Sequence, residues 1–151
     1  MKESINSKNP YNYNKTISMN QIEKLKSRDE EGNEVFDLLF YTYQGKLTTI
    51  VDKFNHSTIK DNTEMILKSF TEDKRNPLQI SAFLNYSNIF LYFLTYGAES
   101  GKQDIFLQNT WHILAYRGHT RIMGILLNHI RYELKKNTLK KIDEIKKQYG
   151  F

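Results

Sequence analysis

A repeat with a period of about 33 residues limits what this chain can fold into. Residues 76–86 (NPLQISAFLNY) align with residues 109–119 (NTWHILAYRGH), and residues 88–94 align with residues 121–127. Each copy has the apolar spacing of a helix, then a short break, then a second helical segment. A period of this length predicts helical hairpins that stack side by side, because one hairpin is too thin to bury its own apolar face.

The breaks between helices carry residues suited to tight turns. Asn85 and Gly118 stand where the chain needs left-handed backbone angles, and Gly97 ends the second helix of the first copy. A weaker copy precedes both, and the interval from its Gly45 to Asn85 is longer than one period. The excess predicts an insert of about seven residues, in a position where such stacks place loops.

The copies resemble the ankyrin repeat. The residues that carry the resemblance are Pro77, Leu78, Gly97, Ala98 and Glu99 in one copy and His112, Ala115, Gly118, His119, Leu126 and Leu127 in the other. Gln79, Thr110 and Trp111 replace the family's His, Pro and Leu. The resemblance implies an all-α ankyrin-repeat solenoid of helix-turn-helix units with short β-turn fingers and a C-terminal capping helix. It also implies that His112 and His119 are structural, with hydrogen bonds within and between repeats.

We expect one domain over residues 19–151, preceded by a flexible arm over residues 1–18. The expected segments are a short helix at 19–27, repeats at about 29–55, 72–103 and 104–130, an insert at about 55–71, and a C-terminal helix at about 130–149. Within the insert, residues 63–70 predict a helical turn capped by Asp61 or Asn62. The C-terminal helix either extends the last repeat or packs beneath it as a cap. Leu78 and Trp111 are expected to meet in a shared core.

The net charge of +5 is concentrated near the C-terminus. Residues 131–151 contain seven basic and three acidic residues, which leaves a net charge of +1 for the rest of the chain. No apolar run reaches the roughly 18 residues needed to span a bilayer, and residues 1–19 lack the apolar core of a secretory signal. With no cysteine, we expect a soluble intracellular protein of the cytoplasm, with the nucleus as the alternative.

Nothing in the sequence has the pattern of a catalytic or cofactor site. His56, His112, His119 and His129 lack the spacing of a zinc site, and the seven glycines are isolated from one another. Carboxylate pairs such as Asp143 and Glu144 lie in charged segments, where a solvated surface explains them. We therefore expect no enzyme activity, no metal, no cofactor and no small-molecule substrate.

The expected function is non-catalytic binding of a protein partner, as an adaptor or inhibitor. In ankyrin stacks the first helix of each repeat faces the concave side, and the finger tips are the other usual contacts. The candidate partner-binding residues are Phe40, Tyr43, Phe83, Leu84, Tyr116 and Arg117 on the helices and Lys74, Arg75, Lys102 and Phe106 at the tips. The aromatic residues among them could instead fill the stack or lie against the insert.

Two other functions stay open at this point. The chain could be a structural subunit of a larger assembly, because about three repeats is the minimum for a stable stack. Alternatively, the lysines of the C-terminal helix, from Lys135 to Lys147, could bind nucleic acid or another acidic surface. Helix-stabilising pairs such as Asp143 with Lys147 explain those lysines without a ligand.

Overall fold

The computed structural model describes residues 27–28 and 34–150, and these are mostly helical, which confirms the expectation of a mainly α-helical chain. The helices are α1 (Leu38–Tyr43), α2 (Leu47–Asn55), α3 (Ile59–Lys68), α4 (Pro77–Phe83), α5 (Ser87–Thr95), α6 (Thr110–Arg117) and α7 (Thr120–Tyr149). Two short strands, β1 (Ser27–Arg28) and β2 (Glu34–Val35), pair antiparallel. The arm predicted for residues 1–18, most of the helix predicted for 19–27 and the start of the first repeat at 29–33 lie outside the described residues.

Three helix pairs, α1 with α2, α4 with α5 and α6 with α7, turn in the same way. In each turn a backbone N–H donates to the carbonyl five residues earlier. The three bonds run from Lys46 to Tyr41 (3.0 Å), from Tyr86 to Ser81 (2.9 Å) and from His119 to Leu114 (3.1 Å). The residues just before these donors, Gly45, Asn85 and Gly118, have φ angles of 69°, 61° and 69°. The predicted left-handed positions are confirmed.

Side-chain hydrogen bonds join successive pairs at equivalent points. The Tyr86 hydroxyl donates to the carbonyl of Tyr43 (3.3 Å), and His119 Nε2 lies 3.1 Å from the carbonyl of Phe83. A carbonyl oxygen only accepts, so Nε2 carries the proton that His119 donates. The hydrogen bond expected of His119 between repeats is therefore present between helix pairs.

The helix pairs share one apolar core. α1 packs against α4, α4 packs against α6, and α5 packs against α7. All seven residues of α4 are buried, because α4 has a neighbouring pair on each side. The largest fully buried apolar side chains are Phe54, Phe90, Phe93, Leu38, Ile50, Leu78, Ile80, Ile113, Leu114, Ile122 and Leu126.

Trp111 does not match its equivalent, Leu78, in burial. Leu78 is fully buried, whereas Trp111 is half-buried at the edge of the core, and Leu127 is 41% exposed. Trp111 therefore packs against the core that contains Leu78, but only at its edge. The reason is positional, since α6 and α7 form the last pair and no further pair follows in the described chain.

The inserted residues form a longer helix than the sequence suggests. α3 begins at Ile59, and its N-cap is Thr58, whose hydroxyl accepts from the N–H of Asp61 (3.0 Å), so the prediction of Asp61 or Asn62 as cap is wrong. Asn62 is instead buried, and its amide donates to the carbonyl of Phe54 at the end of α2 (2.8 Å). This bond holds α3 against the first helix pair.

The C-terminal segment is an extension and not a cap. α7 is one helix of 30 residues. Its first part packs against α5 and α6 through Ile122 and Leu126, whereas residues 134–150 are all exposed. Of the two arrangements expected for residues 130–149, the structure has the extension of the last repeat, and a capping helix packed beneath it is ruled out.

α4 and α6 begin with the same reciprocal cap. The Asn76 side chain accepts from the backbone N–H of Gln79 (2.8 Å), and the Gln79 side chain accepts from the N–H of Asn76 (2.8 Å). Asn109 and His112 repeat this arrangement with distances of 3.2 and 3.0 Å, so His112 has the expected bond within its repeat. The two caps satisfy backbone donors that helix ends leave without partners.

Gln79 has a second role that His112 lacks. Its side chain is fully buried, and its Nε2 donates to the carbonyls of Gln108 (2.9 Å) and Lys102 (3.3 Å) in the segment before α6. His112 is exposed, and within the described part of the chain its side chain bonds only to the cap residue Asn109. Gln79 thus links α4 to the following repeat.

This difference gives a paired prediction. Gln79→Ala is expected to lower the free energy of unfolding by about 1–3 kcal/mol more than His112→Ala, because it also removes the two hydrogen bonds that the fully buried Gln79 amide donates to the segment before α6. Both changes remove the same cap contact, so His112→Ala is the matched control. Urea denaturation followed by circular dichroism measures both values, and equal losses would contradict the role given to Gln79.

Candidate binding surface

The turn tips before α4 and α6 have the same hydrogen-bonding pattern. Thr71 donates its N–H to the carbonyl of Arg75 (3.0 Å), and Asp104 donates to Gln108 (3.0 Å) at the equivalent point of the next repeat. Lys74 and Leu107, each three residues beyond the donor, have φ angles of 62° and 64°. The N–H of Ile105 also donates to the carbonyl of Asp73 (3.0 Å), so the two tips are directly joined.

Arg75 is buried between the tips. Its guanidinium lies 3.5 Å from a carboxylate oxygen of Asp104 and 3.5 Å from one of Asp73, and it stands 5.7 Å from the centre of the Phe106 ring. Arg75 is 7% exposed and Asp104 is 4% exposed. The prediction of Arg75 as an accessible contact is therefore corrected, because its charge is used within the protein to hold the tips together.

Asp104 also shapes the tip that follows it. Its carboxylate accepts from the N–H groups of Phe106 (2.9 Å) and Gln108 (3.0 Å). Phe106 is half-buried beside Arg75, so its ring packs against the guanidinium and is only partly accessible to a partner.

A pocket of about 250 Å³ opens between α3 and the turn tips, and we call it the α3 pocket. Its apolar lining comes from Ile66, Leu67, Phe70 and Ala98, and its polar lining comes from Lys74, Asn76, Glu99, Lys102 and Gln103. Leu67 and Phe70 are 37% and 48% exposed. Two of the predicted contact residues, Lys74 and Lys102, therefore come together at one apolar depression.

The rim of the α3 pocket is more basic than acidic. The Lys74 ammonium lies 4.3 Å from the centre of the Phe70 ring, which holds this cation over the apolar lining. Lys102 and Glu99 complete the charged rim, and all three charged side chains are exposed. The pocket thus suits an apolar group that carries a carboxylate beside it.

The predicted contact residues on the helices, which we call the helix column, are buried at one end and open at the other. Phe40 and Phe83 are 2% and 4% exposed, whereas Tyr116 is 55% exposed. Tyr43 and Leu84 are half-buried. The prediction of Phe40 and Phe83 as accessible contacts is corrected, because both rings are buried. Phe83 fills the stack, which is the alternative that the sequence left open.

Two details explain how this column is arranged. Burial raises the pKa of the Tyr43 hydroxyl, and the charges of Arg75 and Asp73 have smaller, opposing effects on it. Tyr43 therefore stays neutral within the protein and lies near the first turn tip.

At the other end of the helix column the Arg117 guanidinium covers the Phe83 ring at 4.7 Å. Leu84, Tyr116 and Arg117 are therefore the part of the column that a partner can reach.

Sequence reasoning missed the contribution of α3 to the candidate surface. Leu67 and Phe70 belong to the predicted insert, for which the sequence suggested no role in binding. The available signal was an apolar pattern, Met65, Ile66 and Phe70, in a segment that has no counterpart in the other repeat intervals. The apolar face of an inserted helix is expected to pack against the rest of the fold. Here α3 does so and forms one side of the α3 pocket.

Comparisons with known proteins give no match. No family model matches the chain, and neither a curated protein nor a solved structure does so. In the described part of the chain, no three His, Cys, Asp or Glu side chains are grouped so as to hold a metal ion. Among residues 27–28 and 34–150, no helix is long and apolar enough to cross a membrane.

The burial of Arg75 gives a second prediction. Arg75→Ala is expected to destabilise the fold by about 3–5 kcal/mol, because it leaves the buried Asp104 carboxylate without its cation. The neighbouring, exposed Lys74→Ala is expected to cost less than about 1 kcal/mol. Thermal denaturation of both variants checks this, and similar transition temperatures would show that Arg75 does not hold the tips together.

Proposed function

We propose that this chain is an ankyrin-repeat protein that binds a protein partner without catalysing a reaction. The support comes from the regular recurrence of turn tips, caps and helix turns, together with the side-chain bonds between pairs. Stacked repeats of this kind present a continuous surface to a partner and have no enclosed active site.

The α3 pocket is the observation that carries the proposal. Its volume of about 250 Å³ is below the range of about 300–1,000 Å³ that is typical of small-molecule sites. A pocket of this size suits one large side chain of a partner. Burying a Leu or Phe side chain there would contribute roughly 1.5–3 kcal/mol, which is the magnitude expected of an interface hot spot.

The rim specifies the partner further. Lys74 and Lys102 favour a carboxylate next to the inserted side chain, so the partner segment has a Leu, Ile, Met or Phe beside an Asp or Glu. Tyr116, Arg117 and Leu84 lie on the reachable part of the helix column and extend the contact, since Tyr and Arg are enriched at interface centres.

A peptide display experiment tests this function. A library of random peptides of about twelve residues is selected on the full protein, and enriched peptides are expected to pair a large apolar residue with an acidic one. Fluorescence polarisation then measures their affinity for wild type and for Leu67→Ala/Phe70→Ala, with an expected loss of at least about tenfold.

The matched control is Leu91→Ala/Leu139→Ala, which removes two apolar side chains that are 44% and 54% exposed elsewhere. This control is expected to bind as wild type does. Selection that enriches no peptide, or enriched peptides that bind both double variants equally well, would contradict the α3 pocket as the binding site.

A further inference from the structure

The exposed half of α7 carries an apolar stripe. Leu134, Ile142, Ile145 and Tyr149 are 61%, 42%, 47% and 66% exposed. At about 100° per residue these four side chains and Thr138 fall within an arc of roughly 80° on the helix. The stripe runs over about 24 Å of helix, and every residue beside it from 134 to 150 is exposed. Four large apolar residues on one face of a projecting helix indicate a surface that something covers.

The basic and acidic side chains of residues 134–150 lie at different distances from the stripe. Lys135 and Lys146 lie along one edge and Lys141 along the other, within about 40° of the apolar arc. Asp143 lies on the opposite side of the helix, and Glu144 is about 80° from the nearer edge. Cations therefore border the apolar face on both sides, and both anions are held away from it.

We propose that residues 134–149 of α7 lie flat on an anionic lipid surface. In this arrangement the stripe enters the boundary between headgroups and acyl chains, as the apolar face of an interfacial amphipathic helix does. The lysines at its edges are long enough to bury their methylene groups and place their ammonium groups at the lipid phosphates. The two acidic side chains face water, where they meet no repulsion from the lipid.

Other occupants fit this face less well. A heptad coiled-coil seam through Ile142, Ile145 and Tyr149 would also contain Lys135 and Thr138, and it would leave Leu134 outside the seam. A second copy would also bring lysines beside lysines. Residues 1–26 contain five lysines and two glutamates, so that segment has the same sign of charge as α7. Nucleic acid would attract the lysines and leave the stripe uncovered.

Vesicle flotation tests the proposal with the full chain. The probes are vesicles of pure phosphatidylcholine and vesicles in which about a third of the lipid is phosphatidylserine. Wild type is expected to float with the anionic vesicles only, and less so as salt rises. Ile142→Gln/Ile145→Gln is expected to lower the partition at least about tenfold, because it removes half of the stripe.

Two control pairs separate the stripe from general effects. Leu91→Gln/Ile105→Gln alters apolar side chains that are 44% and 54% exposed on other elements, and it is expected to leave flotation unchanged. Lys135→Gln/Lys146→Gln and Lys136→Gln/Lys147→Gln remove equal charge, and the first pair, which borders the stripe, is expected to weaken flotation more. Circular dichroism confirms that each variant keeps its helix content.

Several results would overturn the proposal. They include no flotation with anionic vesicles, equal flotation with neutral ones, and no loss for Ile142→Gln/Ile145→Gln. A wild-type dimer in sedimentation that this variant dissociates would assign the stripe to a second copy. Binding to duplex DNA that competes with vesicles and is unaffected by the same variant would assign the lysines to phosphate alone.

Discussion

Contact between successive helix pairs is the interaction on which the rest of this structure depends. The middle pair shows why, because every residue of α4 is buried between α1 and α6. In the last pair only Thr110, Ile113 and Leu114 of α6 are buried. The first helix of a pair is therefore covered on two sides in the middle of the stack, as α4 is, and on one side at its end, as α6 is. Apolar burial is the main stabilising term in folding, and the middle pair supplies more of the buried apolar side chains than either outer pair does.

Hydrogen bonds fix the register of that contact. The bonds from Tyr86 to Tyr43 and from His119 to Phe83 join equivalent points of neighbouring pairs. Gln79 and Arg75 join neighbouring pairs on the side of the turn tips. Gln79 does so through its side-chain amide and Arg75 through its ion pair with the buried Asp104. These contacts hold both edges of the stack. Across the α3 pocket, α3 therefore lies opposite turn tips that are held in place. The hydrogen bonds and the ion pair that hold the tips lower the ordering cost of binding at the α3 pocket.

The sequence predicted what is local and missed what depends on neighbours. Asn85, Gly118 and Gly97 were identified from backbone requirements, which a residue carries wherever it is placed. A repeat pattern predicts which face of a helix a residue lies on, but it does not predict how far neighbouring elements bury that face. The sequence therefore predicts Phe40 and Phe83 at a surface, whereas both are buried. Arg75 was placed in solvent as most arginines are, and its partner Asp104 belongs to the next turn tip, which is distant along the chain. The predicted N-cap of α3 lies three or four residues after the observed one, Thr58, because Asp and Asn are at least as common as Thr at N-cap positions.

The continuity of α7 has a geometric consequence. One end of this helix is a wall of the repeat stack and the other projects roughly 24 Å beyond the last contacts, with no glycine or proline between Ile125 and Gln148 to act as a hinge. The projecting part of α7 therefore fixes the distance between the last helix pair and the far end of the helix. Any molecule bound by the stack and any body that holds the far end of α7 are kept at a set distance and a set angle from each other, without a separate linker.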